Sequence, residues 1–392
     1  MRFEKDWGRL GLKFEELSQV SSYVSERIRI DEVNLDNYVS TENMISERGG
    51  VTKATKLPSG KTISVFQKGD ILISNIRPYF KKIWLADKSG GCSNDVLVVR
   101  ANEKISNRFL YYVLSSDNFF DYAVGTSKGT KMPRGDKKAI MKYKVPIYSL
   151  VEQEKIAEIL RAFDKKIILN KQINHHLVEQ AYAIYKEVCV NQKDDSFVEE
   201  TIKSISQKVI TGKTPSTQNK DYYGGDLPFI TIPDMHNNIY CVETLRYLTQ
   251  KGEQTQPSKT LPKNSIIVSC IATPGLVSLL DRESQTNQQI NAVIPSENQE
   301  YYLFLELLSK SKLIIELGSS GSTTYNLNKT QFEKIKISAP SIEKRYELNN
   351  LLRPLFLKIN QTQHETIKLS QLRDTLLPKL LSGEISVNQT TK

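Results

Sequence analysis

Long apolar runs are missing from this sequence of 392 residues. No stretch of 18 or more apolar residues occurs, so an ordinary membrane-spanning helix is excluded. The opening MRFEKDWGRL lacks the apolar core of a signal peptide, so a cytoplasmic protein with no membrane partner is expected. Cysteine is scarce: Cys92, Cys189, Cys241 and Cys270 stand singly, with no CxxC pair, which argues against a disulfide framework and a zinc site. His175, His176, His236 and His364 show no metal-ligand spacing, so no metal is expected.

Catalytic motifs are missing too. The GKT at 212–214 lacks the glycine five residues upstream that a phosphate loop needs; position 207 is Gln207. No G-x-G-x-x-G follows a strand, and no N/D-P-P-Y/F motif of an adenine methyltransferase occurs. Pro233-Asp234 and Glu243 resemble half of a nuclease site, but no lysine stands two residues after Glu243. No Ser/His/Asp or Cys/His set is present, so no catalytic residue and no cofactor are assigned to this chain.

What is present in excess is positive charge. Lys and Arg number 54 against 44 Asp and Glu, giving +10 and an isoelectric point near 9.1. Such a balance points to a polyanionic partner, most often nucleic acid. The 39% hydrophobic and 25% charged fractions are ordinary for a globular chain, and the length suits two to three domains.

The chain is organised around a stretch from Ser149 to about Val188. With 4,3 spacing it places Ile156, Leu160, Phe163, Ile167, Asn170, Asn174, Leu177, Ala181, Ile184 and Val188 on one seam, the pattern of a coiled-coil helix. Ser149 and Glu152 form a capping box at its start. About 38 residues at 1.5 Å each make a rod of roughly 57 Å, which needs a partner. The partner lies 192 residues on: Leu348, Leu352, Leu355, Ile359, Thr362, Thr366, Leu369, Arg373, Leu376 and Leu380 keep the same spacing. Both seams have a polar middle, so the helices are expected to pack with centres aligned, Asn170, Asn174, Thr362 and Thr366 satisfying one another and setting register. Pro354 predicts a kink or a late start in the second helix, and Ser382-Gly383 its end. Ile168, Leu169 and Tyr185 fall on the outer face and suggest a further partner.

The rest of the chain repeats as well. In the first copy, segments 69–86 and 93–101 read as strands, 107–123 as helix, and 125–147 as a glycine-punctuated loop leading into a last strand. In the second copy the same order runs through 265–280, 288–294, 301–318 and 318–340. The chain is therefore two copies of a globular unit, each followed by a long helix. The divisions are 1–147, a helix at 148–189, 190–339, a helix at 340–385, and a polar tail at 386–392. The fold class is α+β, two α/β domains in tandem pseudo-repeat with two long helices.

Candidate nucleic-acid contacts cluster in each copy. Lys128, Lys131, Arg134, Lys137, Lys138, Lys142 and Lys144 fall within seventeen residues, opposed only by Asp136. Asn75, Arg77, Tyr79, Lys81 and Lys82 form a second basic and polar cluster. In the second copy Thr211, Lys213 and Thr214 open the unit, Gln288 and Gln289 offer adenine-type bidentate contacts, and Ser322, Thr323, Tyr325 and Asn326 suit phosphates and base edges. Each cluster alone could be a solvated face; the overall charge and duplicated layout favour double-stranded DNA.

Several stretches carry a resemblance: NYVSTENM (37–44), GDILISNIRPYFKK (69–82), VEQEKIAEIL (151–160), TGKTPSTQNKDYYGGDLPFI (211–230) and LRDTLLPKLLSGEI (372–385). On these the chain resembles, along essentially its whole length, the specificity (S) subunits of type I restriction-modification systems. The resemblance implies two target-recognition domains, each reading one half of an asymmetric DNA site. Their two long helices would pair as an antiparallel coiled coil that acts as a spacer and docks modification (methyltransferase) subunits, two per chain, within an assembly that also holds restriction subunits. Methyl transfer from S-adenosylmethionine and ATP/Mg-dependent cleavage would belong to those partners, leaving this chain non-catalytic. From the residues alone, a coiled-coil scaffold whose heads bind protein or RNA is the alternative, and salt dependence of binding discriminates the two.

Overall fold

The computed structural model describes residues 12–319 and 326–387. The chain divides into two compact units, Met1–Lys165 with Leu369–Lys392, and Lys166–Lys368. Each unit takes one head and a part of each long helix.

The first unit is built on a four-stranded antiparallel sheet in the order Ser21–Tyr23, Val96–Ala101, Ile71–Ser74, Ile83–Leu85. Alternation sends Ile71 and Ile73 to one face and Leu72 to the other, and all three are buried. The run is continuously apolar because both faces are covered. On one side lies a second sheet, Arg27–Arg29, Thr62–Phe66, Gly90–Cys92 and Tyr38–Val39, whose Phe66 and Val39 pack with Leu72, Val96 and Val98. On the other side lie the helices Asn107–Ser115 and Asp117–Gly125. The sequence reads this stretch as one helix; Ser116 is extended (ψ 151°) and its hydroxyl caps the second helix at Phe119 N, so the chain turns there. A ribbon of Lys13–Glu16 against Lys144–Ile147 closes the unit.

The second unit repeats the plan. Its main sheet runs Ser206–Thr211, Ile290–Pro295, Ile266–Ser269, Val277–Leu280, Tyr240–Cys241, the first four in the same order as their counterparts above. Helices Glu300–Ser309 and Ser311–Ser319 cover it, and Val198–Thr201 pairs with Lys336–Ala339 as the closing ribbon.

The long helices are Leu150–Lys186 and Ile342–Ser382. They pair antiparallel within each unit. In the first, Tyr148 donates to the carbonyls of Leu380 (3.2 Å) and Leu381 (3.1 Å), Asp164 meets Arg373, and Ile156, Ala157 and Leu160 share a core with Leu377, Leu380 and Leu381. In the second, Asn170 meets Glu365, Asn174 meets Thr362, and Ala181 and Tyr185 share a core with Leu352 and Phe356. A buried amide from a long helix fastens each head. Gln153 Oε1 accepts from Ser106 N (2.7 Å), and Asn349 Oδ1 from Tyr301 N (2.8 Å) and Tyr302 N (3.2 Å). This explains the glutamine of VEQEKIAEIL.

Three expectations change. The second helix begins at Ile342, well before Pro354, and continues past it, so there is no late start. Tyr185 does not lie on the outer face: it is 3% exposed and its hydroxyl donates to Glu306, whereas Ile168 and Leu169 are exposed as expected. Its neighbour Ile184 is only half-buried, because a straight 3.6-residue helix drifts about 20° per heptad from a 3.5 repeat. Finally, the polar middle pairs unevenly. Thr362 donates to Asn174 Oδ1, but Asn170 donates to Glu365 (2.9 Å) rather than meeting a threonine, and Thr366 donates to the Thr362 carbonyl one turn back (2.8 Å). The buried Asn170 Oδ1 has no partner among the described residues.

Candidate nucleic-acid interface

In the first unit the strand Ile71–Ser74 ends in a tight turn. Arg77 (φ 49°) and Lys81 (φ 49°) are both left-handed and bracket the single 3-10 turn Pro78–Phe80. Left-handed backbone in a non-glycine residue costs about 1–3 kcal/mol, so the surrounding structure must enforce it. Two other segments do. The glycine-rich loop folds back on itself through Lys128 and Arg134 (2.9 Å in both directions) and docks on the turn: Arg77 N donates to Pro133 O (2.8 Å) and Gly135 N to Asn75 O (3.1 Å). A side chain at Gly135 would put its Cβ 2.8 Å from Asn75 Oδ1, so close approach explains that glycine. From the other side, Glu47 (φ 53°) and Arg48 (φ 60°) donate their N–H groups to Phe80 O (2.9 Å) and Lys81 O (3.0 Å).

The structure thus brings together the two clusters that lie some fifty residues apart in sequence, and their cations are not equivalent. Lys131, Lys137 and Lys138 are exposed, and among the described residues none is in an ion pair. Lys128 pairs with Asp136 (2.7 Å) and Arg134 with Asp95 (3.2 Å), both partly exposed. That Lys128 contact, with the backbone N–H groups of Ala139 and Lys138, pulls the Asp136 carboxyl down to about 2. Lys81 pairs with Asp117 (2.8 Å), and Lys82 donates to Thr41 O (2.7 Å) while burial lowers its pKa. Tyr79 is exposed; Asn75 is 7% exposed, its Oδ1 without a partner, as is Arg77 Nε. Sequence reading misses Arg48. Its guanidinium holds Ser115 O and Asp117, tying the tip of the Met44–Val51 hairpin to the junction of the two head helices, and only the Gly49-Gly50 beside it signals a turn there.

In the second unit the TGKTPS loop is held from beneath. Thr211 turns inward and donates to Asn291 Oδ1 (2.6 Å). Lys213 is exposed while its backbone is gripped on both sides: its N–H donates to Thr286 O (2.9 Å) and its carbonyl accepts from Gln256 Nε2 (2.6 Å). Thr214 donates to Gln288 Oε1 (2.6 Å), so Lys213, Thr214 and Gln288 form one patch. Gln289 is half-buried against Asn287 and accepts Cys270 N at its carbonyl (2.9 Å), beside the turn at Ile271-Ala272. Ala272 is left-handed (φ 64°) and Ile271 bridges to Asn326, as Ile76 bridges to Arg134 beside Arg77 in the first unit. Ser322, Thr323 and Tyr325 lie outside the described residues. Gln256 also escapes sequence reading, since nothing local ties it to position 213.

Among the described residues no group of His, Cys, Asp and Glu could hold a metal ion, and no helix is long and apolar enough to cross a membrane. The four cysteines are buried thiols; burial pushes Cys92 up to about 12 and Cys270 up to about 11.

Comparison with known proteins gives a consistent picture. A family model described as the type I restriction modification DNA specificity domain matches twice, at residues 30–179 and 195–369. The chain is 29% identical to the type I restriction enzyme HindI specificity subunit of Haemophilus influenzae, over 94% of this chain and 98% of that one. It is 24% identical to the type I restriction enzyme MjaIX specificity subunit of Methanocaldococcus jannaschii, over 91% and 86%. Its fold is similar to the crystal structure of a type I restriction-modification S subunit from M. genitalium, with a TM-score of 0.59 at 18% identity, covering 94% and 96% of the two chains.

Proposed function

The chain belongs to the type I restriction modification DNA specificity family, and from that premise we propose that it is the sequence-reading subunit of such a complex. It would read a two-part DNA site, one half with each unit. The observation that carries this reading is the repeated device in the two heads. In each, a loop docks on a left-handed turn at the end of a central strand, through Ile76 and Arg134 in one and Ile271 and Asn326 in the other. The scaffold is shared and the chemistry is not. The first presents Lys131, Lys137 and Lys138 with an aromatic pair, the second Lys213 with Thr214 and Gln288, so the two half-sites should differ and the whole site be asymmetric.

The chemistry would belong to partner subunits: S-adenosylmethionine in modification subunits, ATP and Mg in restriction subunits, and no cofactor in this chain. Exposed apolar residues on the long helices support docking of those partners. They are Leu150, Val151 and Leu372 in the first unit, and Ile168, Leu169, Ile173, Leu351 and Leu357 in the second. Because both units carry such a face, two modification subunits per chain are proposed. The assembly would work in the cytoplasm, where its DNA is.

The test is genomic. Modified bases are sequenced in cells with and without this gene, in the presence of its modification partner. Loss of methylation at one asymmetric, gapped motif is expected. If no motif changes, and the affinity of the purified assembly for DNA is indifferent to salt, the chain is a scaffold rather than a reader.

A further inference from the structure

Tyr79 and Phe80 stand out on the first unit. Their rings lie 4.7 Å apart and are 46% and 37% exposed, at the tip of the turn bracketed by Arg77 and Lys81. Exposed large apolar residues clustered at one place mark an interaction site more often than scattered ones do. The two segments hydrogen-bonded to the turn carry exposed apolar residues of their own. The hairpin that donates to the Phe80 carbonyl carries exposed Ile45, and the loop that accepts from Arg77 N carries exposed Met132. The turn is fixed from both sides by backbone hydrogen bonds, so the rings are presented rigidly, without the entropy cost of ordering a loose loop.

We infer that the Tyr79–Phe80 pair is a base-stacking wedge, inserted at a base-pair step of the half-site read by the first unit and without counterpart in the second. The inference rests on the DNA-reading function proposed above. Charge favours DNA over a protein occupant. On the docked loop Lys131 is exposed and in no ion pair among the described residues, and Arg134 stays largely exposed although it pairs with Asp95. Lys81 and Lys82 face inward instead, to Asp117 and the Thr41 carbonyl, with Lys82 Nζ 5.9 Å from the Phe80 ring centroid. Cations that hold phosphates around an apolar side chain are the arrangement by which proteins unstack and kink a duplex. Flexible pyrimidine–purine steps yield most easily. The corresponding turn of the second unit, Ala272-Thr273-Pro274-Gly275, has no aromatic residue, and the space a side chain at Gly275 would need is filled by Ser311 and Ile315.

The experiment uses the full chain assembled with its modification subunits, and duplexes carrying 2-aminopurine stepped through both half-sites. A several-fold fluorescence rise is expected at one step of the first unit's half-site, absent in the Tyr79→Ala, Phe80→Ala double variant. Specific binding should weaken about tenfold or more in that variant. The salt slope should stay unchanged, since every cation that faces a phosphate is still in place. Both side chains are exposed, so the thermal midpoint should hold; should the double variant unfold, Tyr79→Ala alone should remove part of the signal. A flat signal beneath tight specific binding overturns the wedge, as does a rise that survives in the double variant and so comes from a base moved by another subunit. Failure of the double variant to hold the modification subunits, while it still binds DNA as wild type does, makes the patch a protein dock instead. If the wild-type assembly shows no sequence-specific binding at all, the reading function itself fails and takes the wedge with it.

Discussion

Asp164 of the first long helix accepts hydrogen bonds from Arg373 of the second at 2.7 Å and from the Tyr112 hydroxyl of the head at 2.7 Å. One carboxylate thus joins three elements of the first unit. It also accounts for a cation at a seam position where the heptad pattern asks for an apolar residue. Burial works against the Arg373 charge, yet hydrogen bonds and attraction from Asp164 and Asp374 hold its pKa above the ordinary value.

Arg373→Met should therefore cost more than a surface ion pair does. It leaves Asp164, with a side chain 26% exposed, facing an apolar seam without its cation. A loss of about 2–3 kcal/mol is expected, below the full cost of a sealed pair because water still reaches the carboxylate. Adding Asp164→Asn should restore part of it, since asparagine keeps an acceptor for Tyr112 without the charge. Urea unfolding of the single and double variants measures this. Equal midpoints for wild type and Arg373→Met would show that the pair contributes nothing.

A second buried carboxyl predicts a pH dependence. Glu306 is 4% exposed at its side chain, accepts from the Tyr185 hydroxyl, and among the described residues pairs with no cation but Lys310, whose Nζ lies 3.9 Å away. Burial raises its pKa above the ordinary 4.5. A raised folded pKa means that its contribution to stability is complete below 4.5 and is lost as pH rises through the folded value. Glu306→Gln, which preserves an acceptor for Tyr185, should be as stable as wild type or about 1 kcal/mol more stable at pH 7. That difference should shrink as pH falls towards 4, as thermal midpoints across the range would record. A variant less stable at pH 7 than at pH 4, relative to wild type, would mean that the Lys310 pair outweighs burial.

These joints also show where sequence reading stops. The duplicated layout is legible because apolar period, turn residues and the seam spacing are local patterns that recur 192 residues apart. The docking of Pro133 on Arg77, and of Glu47 and Arg48 on Phe80 and Lys81, is not, because each is a single backbone hydrogen bond between distant segments with no periodic signal. A strict heptad count assigns Tyr185 to the wrong face, since its burial depends on the head helix Glu300–Ser309 that offers it Glu306. Thr211 looks like its neighbours Lys213 and Thr214 in sequence, but alternation at the strand end turns it inward to Asn291.

The basic loop gives a prediction about salt. Lys131→Ala with Arg134→Ala should weaken binding to specific and unrelated duplexes alike, because cations on phosphates position the protein without reading sequence. The slope of log affinity against log salt should become shallower by roughly 0.9 for each phosphate no longer neutralised, so by about one to two in the double variant. Arg134 also pairs with Asp95, so Arg134→Lys is the control that keeps the charge. An unchanged slope would remove this loop from the interface.

The TGKTPS loop yields the sharpest contrast between reading and support. Gln256 is 5% exposed and touches no solvent patch, yet its Nε2 holds the Lys213 carbonyl at 2.6 Å and Gln285 Oε1 at 2.8 Å. Gly212 beside it has no room for a side chain: a Cβ would lie 2.2 Å from Asn287 O and 2.4 Å from Thr286 O, both backbone atoms that cannot swing away. Gln256→Ala leaves buried partners unsatisfied at a cost of about 1–3 kcal/mol. Gly212→Ala must displace the loop and should cost about as much. Because Lys213, Thr214 and Gln288 ride on this loop, both variants should relax base preference in the second unit's half-site and leave the first half-site as selective as in wild type. Gln288→Ala, which removes a surface group alone, should relax the same half-site with no loss of thermal stability. Binding selections on duplexes randomised in one half at a time read all three. If Gln256→Ala lowers stability but both half-sites stay fully selective, the loop is a structural edge of the unit and does not read DNA.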